Sequence, residues 1–216
     1  MGNPSPKPKA KDLLVEETLK QISCEGAFSV QPKQICEKLG LSKALVNYHF
    51  GGRGGLILEA IVMGYERYVD TLMLAAESCK GSATDKLLAW IQAQIDWTAA
   101  NPGLAAALNF PTYAGAVAPD AATISRLEAA GTRNLQNLRE LIAPIRTKDL
   151  GDSSPAVSDE LESKIMLDTA LVGWLALGRS VWGSDAHIPT NQENHPELLA
   201  RADAYRVQAI KDLLSR

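Results

Sequence analysis

The sequence has no apolar run long enough to cross a membrane. Its longest uncharged apolar stretch, Thr169 to Gly178, falls well short of the ~20 residues a spanning helix needs. The opening MGNPSPKPKAKD has no apolar core of the secretory kind, so no signal peptide is expected. Cysteine is scarce: Cys24, Cys36 and Cys79 are odd in number and lack C-x-x-C or Cys/His ligand spacing. That excludes a disulfide framework or a zinc site of recognisable pattern and fits a reducing cytosol. Cys24 and Cys36 fall on neighbouring helices and are expected to be structural thiols. Histidine is scarcer in meaning than in number, since His187 and His195 flank a loop without a metal-ligand pattern. There is no G-x-S-x-G, no phosphate loop and no Glu-x-x-His pair, so neither an enzyme nor a cofactor is expected. Period-2 alternation is also scarce. Apolar residues recur instead at three and four, which predicts an all-α protein.

No single sign of charge dominates, and the net is −3. The distribution is uneven. Residues 1–55 hold eight basic and five acidic side chains, a net of +3; the remaining 14 basic and 20 acidic ones give −6. A basic N-terminal segment on an acidic body fits contact with nucleic acid at one end. A hydrophobic content of 46% supports a sizeable core without a metal or disulfide staple.

Three regions are expected: a disordered basic tail over 1–9, a small helical head over 10–55 and a larger helical domain over 56–216. In the head, a first helix spans about Ala10–Glu25, with Leu14, Thr18, Leu19 and Ile22 inward and Gly26 as its stop. Ser29 is expected to cap a second helix from about Val30 to Leu39, and Ser42 a third through about Phe50. Four glycines flanking Arg53 predict a soft hinge before a long helix from about Gly55 to Cys79. Further helices are expected over about Thr84–Ala100, Gly103–Asn109 and Asp120–Leu141, the last ended by Pro144. Two more follow, over about Ser158–Trp182 and Pro196–Leu214.

Two short helices joined by the turn Leu39-Gly40-Leu41-Ser42 form a helix-turn-helix. Ile35, Leu39, Val46 and Phe50 would pack inward, with Leu41 as the peg between the helices. Lys43, Ala44, Leu45, Asn47 and Tyr48 would face out. The segment ICEKLGLSKALVNYHFGGRGGLILEAI, read with the helix before it, resembles the N-terminal domain of the tetracycline-repressor (TetR) family. Ile35, Gly40, Ser42, Lys43, His49, Phe50 and Leu56 match its pattern, and Leu41, Val46 and Arg53 are close substitutes. Asn47 replaces a usual Tyr, Leu45 a common Thr and Gly54 a usual acidic residue. The resemblance covers about residues 10–60. It implies that Lys43, Ala44 and Leu45 sit at base edges, while Asn47, Tyr48 and His49 hold phosphates and the groove wall. It also implies that Arg53 clamps a phosphate. Ser29 and Gln31 could add phosphate contacts, and Ser42 opens the reading helix.

The larger domain is less explicit. From Ile165 to Gly178 only Asp168 is charged, so that helix needs cover on both faces. With the more amphipathic final helix it predicts a four-helix dimer interface through Leu171, Gly173, Leu175, Gly178, Trp182, Leu199, Ala202, Tyr205 and Ile210. Two-fold symmetry would then set two reading helices about 34–36 Å apart, one turn of B-DNA. Trp90, Gln94 and Trp97 share a helix face, and Phe110, Tyr113 and Trp174 could converge on it. These residues suit either an aromatic pocket for a small organic effector or a plain core. The expected function is a cytoplasmic, homodimeric, effector-responsive transcriptional regulator acting on palindromic operator DNA, with repression the default. The alternative is a helical dimeric adaptor or sensor with a vestigial DNA-binding head.

Overall fold

The computed structural model describes residues 9–109, 115–148, 163–164, 201, 204–205 and 207–208. Every element among them is helical. The order is α1 (Ala10–Glu25), a 3-10 turn (Ala27–Ser29), α2 (Pro32–Leu39), α3 (Ala44–Phe50), α4 (Arg53–Ser78), α5 (Ala83–Ala100), α6 (Pro102–Asn109) and α7 (Ala121–Lys148). The expected dimer residues Leu171, Gly173, Leu175, Gly178, Trp182, Leu199, Ala202 and Ile210 lie outside the described residues. So do the aromatic residues Phe110, Tyr113 and Trp174. Tyr205 is described and is exposed.

The first helix has the expected bounds, and its inward stripe of Leu14, Thr18, Leu19 and Ile22 is buried. The buried Thr18 hydroxyl donates to the Leu14 carbonyl one turn back, at 2.7 Å, so its burial leaves no unmet donor. The second helix starts later than expected, at Pro32 rather than near Val30. The reason is local: the residue before a proline is driven to extended backbone, and Gln31 has φ −120° and ψ 101°. Ser29 therefore does not cap α2. Its hydroxyl donates to the Gly26 carbonyl at 2.7 Å. Gly40 closes α2 in the left-handed conformation, φ 66°, where a Cβ is disfavoured.

The glycine run around Arg53 is not a soft hinge. Gly51 and Gly52 have φ of 69° and 131°, conformations that other residues rarely adopt. Gly54 is crowded by Val117 and Gly115, and Gly55 by the backbone of Phe50. Composition alone reads four glycines as freedom; here they are four separate geometric requirements.

Two apolar clusters result. The first joins Leu14, Ile22, Ile35 and Val46 to Leu56, Ile57 and Ile61 of α4 and to Leu104 and Ala107 of α6. The core of the head thus draws on helices beyond residue 55. The second joins Val69 and Leu72 of α4, Leu87, Trp90 and Ile91 of α5, and Leu138, Ile142 and Ile145 of α7. Trp97 packs against both clusters.

Pro144 does not end the seventh helix, which continues to Lys148. An interior proline costs about 3 kcal/mol through its lost hydrogen bond and its clash with the preceding turn. Ile142 and Ile145, on either side, are fully buried. Burial contributes about 1.5–3 kcal/mol for each such side chain, enough to offset the proline.

Ion pairs also join α7 and α1 to α4. Arg126 of α7 donates to Glu66 at 3.0 and 2.9 Å and to Glu59 at 2.9 Å. Those hydrogen bonds, that of Glu66 first, hold its guanidinium more firmly protonated than usual. Arg133 pairs with Asp70 at 2.9 Å. Arg67 of α4 grips Glu16 of α1 with two donors, and that hydrogen bonding lowers the Glu16 pKa. A carboxyl that ionises more readily in the folded chain stabilises it fully above the unfolded pKa. The contribution fades as pH falls through the folded value. Glu16→Gln should therefore flatten the acid side of the melting temperature–pH profile, below about pH 4.5. The effect should be small, because solvent screens this partly exposed pair. An unchanged acid limb would show that the pair adds nothing.

Candidate nucleic-acid interface

The sequence from Lys38 to Leu58 contains no Asp or Glu. It folds into the C-terminal turn of α2, the Gly40 turn, all of α3 and the start of α4. On α3, Val46 is buried and faces the first cluster. The spacing of a helix then sends positions 43, 44, 47 and 48 the other way. Lys43, Ala44, Asn47 and Tyr48 are all exposed, Tyr48 at 82%. A large exposed aromatic beside a lysine and an amide, with no carboxylate among them, suits a polyanion with readable edges.

The start of α3 is ordered by Ser42. Its hydroxyl accepts from the Ala44 N–H at 3.3 Å, and its carbonyl accepts from the Leu45 N–H at 3.0 Å. Gly51 closes the helix, its N–H donating to the Asn47 carbonyl at 3.0 Å. His49 is half-buried, with Tyr48 and Phe50 edge-on at ring distances of 4.9 and 5.9 Å.

Three expected contact residues have other occupations. Leu45 is partly buried against the head cluster, so only part of it is available to a base. Ser29 is tied to Gly26. Arg53 differs most from its expected role as a phosphate clamp. Its guanidinium donates to the carbonyls of Val30 and Ala27, each at 2.9 Å, and to Phe28 at 3.5 Å. Those carbonyls sit at the 3-10 turn ahead of α2, so Arg53 bolts α4 to the helix-turn-helix. Its Nη1 faces Gly115, where an added Cβ would lie 2.9 Å away. Gln31, at the N-terminal end of α2, is exposed.

Two residues join this region that sequence patterns do not mark. Lys11 of α1 lies over the Phe50 ring at 6.0 Å, which brings a positive charge to the end of α3. Phe28 is 66% exposed beside the start of α2. Lysine and phenylalanine at those points carry no local signal, because the contacts are made by the three-helix packing.

Away from the head, Trp90 and Gln94 are both 1% exposed on α5. Trp97 is half-buried, its ring 4.7 Å from that of Tyr68. Tyr65 stacks on Tyr68 at 6.2 Å, and burial pushes its phenol pKa up. Among the described residues no cluster of His, Cys, Asp and Glu could hold a metal ion, and no helix is long and apolar enough to cross a membrane.

No family model and no curated protein sequence matches the chain. Solved structures do. A protein of unknown function from Rhodococcus sp. RHA1 is similar with a TM-score of 0.64 at 18% identity, over 96% of this chain and 98% of that one. The fatty acid degradation regulator FadR of Bacillus halodurans has a TM-score of 0.61 at 12% identity, over 95% and 96%. A TetR-family regulatory protein of Rhodococcus RHA1 has a TM-score of 0.58 at 16% identity, over 94% and 98%. At such identities the likeness speaks to fold. The described residues have the all-helical fold of TetR-family regulators.

Proposed function

We propose that the chain is an effector-responsive transcriptional repressor that binds palindromic operator DNA as a homodimer. The observation that carries this reading is the exposed, carboxylate-free face of Lys43, Ala44, Asn47 and Tyr48 on α3. It is presented by a helix pair joined through the left-handed Gly40. The regulator fold of the neighbouring structures supports it. The two-fold arrangement rests on the apolar helix expected over Ser158–Trp182. The domain division at residue 55 is part of the same proposal, with head and body sharing a core.

In this reading α3 enters the major groove and Lys43 and Tyr48 meet phosphates or base edges. The effector binds the larger domain with different affinity in two states of the dimer, one of which separates the heads. DNA and effector then weaken each other equally. Trp97 packs against both apolar clusters, and in this reading it transmits the change.

The test pairs the full chain with its own upstream intergenic DNA in fluorescence anisotropy. Replacing Lys43 and Tyr48 together by Ala should weaken specific binding roughly tenfold or more. It should also make the salt dependence shallower, by about one counterion for each lysine taken off a phosphate. Both positions are exposed, so the melting temperature should hold. Unchanged affinity and slope in the double variant would favour an adaptor with an idle head.

A further inference from the structure

The interior between α5 and α7 contains polar groups that the protein leaves unanswered. Among the described residues, the Trp90 Nε1 donor and the Gln94 Oε1 and Asn134 Oδ1 acceptors are buried without a hydrogen-bond partner. An interior group in this condition calls for an explanation, since nearly all buried polar atoms are paired. Thr98, also buried, donates to the Gln94 carbonyl of its own helix at 2.7 Å.

The helix registers bring these atoms to one region. On α5, Trp90 and Gln94 are one turn apart on one face. On α7, Asn134 continues the inward stripe of Ala130, Leu138, Ile142 and Ile145, all buried. The Arg133–Asp70 pair and the approach of Gly131 to the Tyr65 hydroxyl set the turn of α7 that carries Asn134 against the Tyr65–Asp70 stretch of α4. The Tyr68–Trp97 contact sets the adjoining turn of α5, which carries Gln94, against the same stretch of α4. The apolar cluster that holds Trp90 includes Tyr68, Val69, Leu72, Leu138 and Ile142.

We propose that this region is the effector site, and that the effector is an uncharged, largely apolar molecule of amide, lactam or alcohol type. It would accept a hydrogen bond from the Trp90 indole and donate to the side-chain oxygen of Gln94 or Asn134, or to both where it carries two N–H groups. This deepens the effector-responsive reading above and rests on it. The donor set dictates the class. An indole N–H only donates, and an amide oxygen only accepts. A hydrocarbon would leave all three atoms unmet. A carboxylate would bring a charge that needs a buried counter-charge. Three carboxylates of the surrounding helices have partners of their own. Asp70 holds Arg133, Asp96 accepts from Gln92 at 2.8 Å, and Glu140 accepts from Gln136 at 3.0 Å.

The experiment uses the full chain and three groups of probes of similar size. These are benzamide and oxindole as neutral amides, benzoate as the charged analogue and toluene as the apolar one. Thermal stabilisation and tryptophan fluorescence report binding. The expected result is saturable stabilisation by the amides in the millimolar range, and little by benzoate or toluene. Gln94→Leu should weaken the amides roughly tenfold or more, yet raise the melting temperature of the ligand-free protein by removing an unmet polar group. A folded Gln94→Leu protein that binds the amides as before would overturn the proposal. So would equal stabilisation by benzoate or toluene, or no stabilisation by either amide. Asn134→Leu provides a second variant from the other helix, with the same expectations. Operator release is scored separately. Amides that bind through Gln94 without releasing DNA would leave the site standing and refute the effector reading. A carboxylate that binds and releases DNA would do the reverse.

Discussion

Gly55→Ala should largely abolish operator binding and lower the melting temperature of the chain. A Cβ at this position would lie 1.9 Å from the Phe50 carbonyl oxygen and 3.0 Å from its carbon. Both atoms are backbone, at the C-terminal end of α3, so no rotamer change relieves the clash. Removing a helix glycine gains about 0.4–1 kcal/mol through the unfolded chain when the site can accept the methyl group. Overpacking typically costs about 1–3 kcal/mol, and a contact this short against main chain belongs at or above the upper end. The clash therefore wins, and α3 must shift relative to α4. For a chain of this size a loss of about 3 kcal/mol lowers the melting temperature by roughly 6–12 °C. Displacement of α3 acts on DNA more severely, because base contacts tolerate little misplacement. Calorimetry and anisotropy on the same preparation check both effects. Wild-type values in both would mean that the α3–α4 junction can yield to a methyl group.

Gly103→Ala is the second large effect, at the other end of the head. Its Cβ would lie 2.1 Å from the Ile22 carbonyl oxygen and 2.8 Å from the Cα and nitrogen of Gly26. The start of α6 is thus seated on the end of α1, backbone against backbone. Leu104 and Ala107 of the same helix are part of the head core. The variant should lose about 2–3 kcal/mol or more, seen as a lower denaturant midpoint with an unchanged slope. It should also impair operator binding while leaving the α3 face chemically intact, since the head would sit differently on the body. Loss of stability with full operator affinity would show that this seat supports the fold without setting the position of the head.

These two glycines also show where sequence reasoning reaches its limit. The first helix is readable to the residue, because Leu14, Thr18, Leu19 and Ile22 recur on one face and Gly26 follows. The α2–α3 turn is readable because Gly40 is a local requirement. The exposed set Lys43, Ala44, Asn47 and Tyr48 follows from the buried Val46 and the helical period. What is not readable depends on partners distant in the chain. Arg53 is a basic residue at a helix start, which alone suggests an anion. Only the folded head places the carbonyls of Ala27 and Val30 within its reach. Pro144 signals a stop by every local rule, and the burial of Ile142 and Ile145 overrides it. Trp90 and Gln94 are visible as a stripe, but periodicity cannot distinguish a satisfied core from one with unanswered polar atoms. That difference lies in a hydrogen-bond inventory, which the sequence does not contain.

The role of α3 governs everything proposed downstream of it, including the meaning of an effector site. The most direct test is anisotropy of the full chain on the intergenic duplex upstream of its own gene, or on a palindrome recovered by random-site selection, at several salt concentrations. Alongside it runs a duplex of the same composition with the half-sites scrambled. The predicted result is saturable binding that requires both half-sites, with a difference of roughly a thousandfold or more between the two duplexes. Equal, salt-sensitive binding to intact and scrambled duplexes, with no site recovered by selection, would contradict the reading of α3 as a sequence-reading helix.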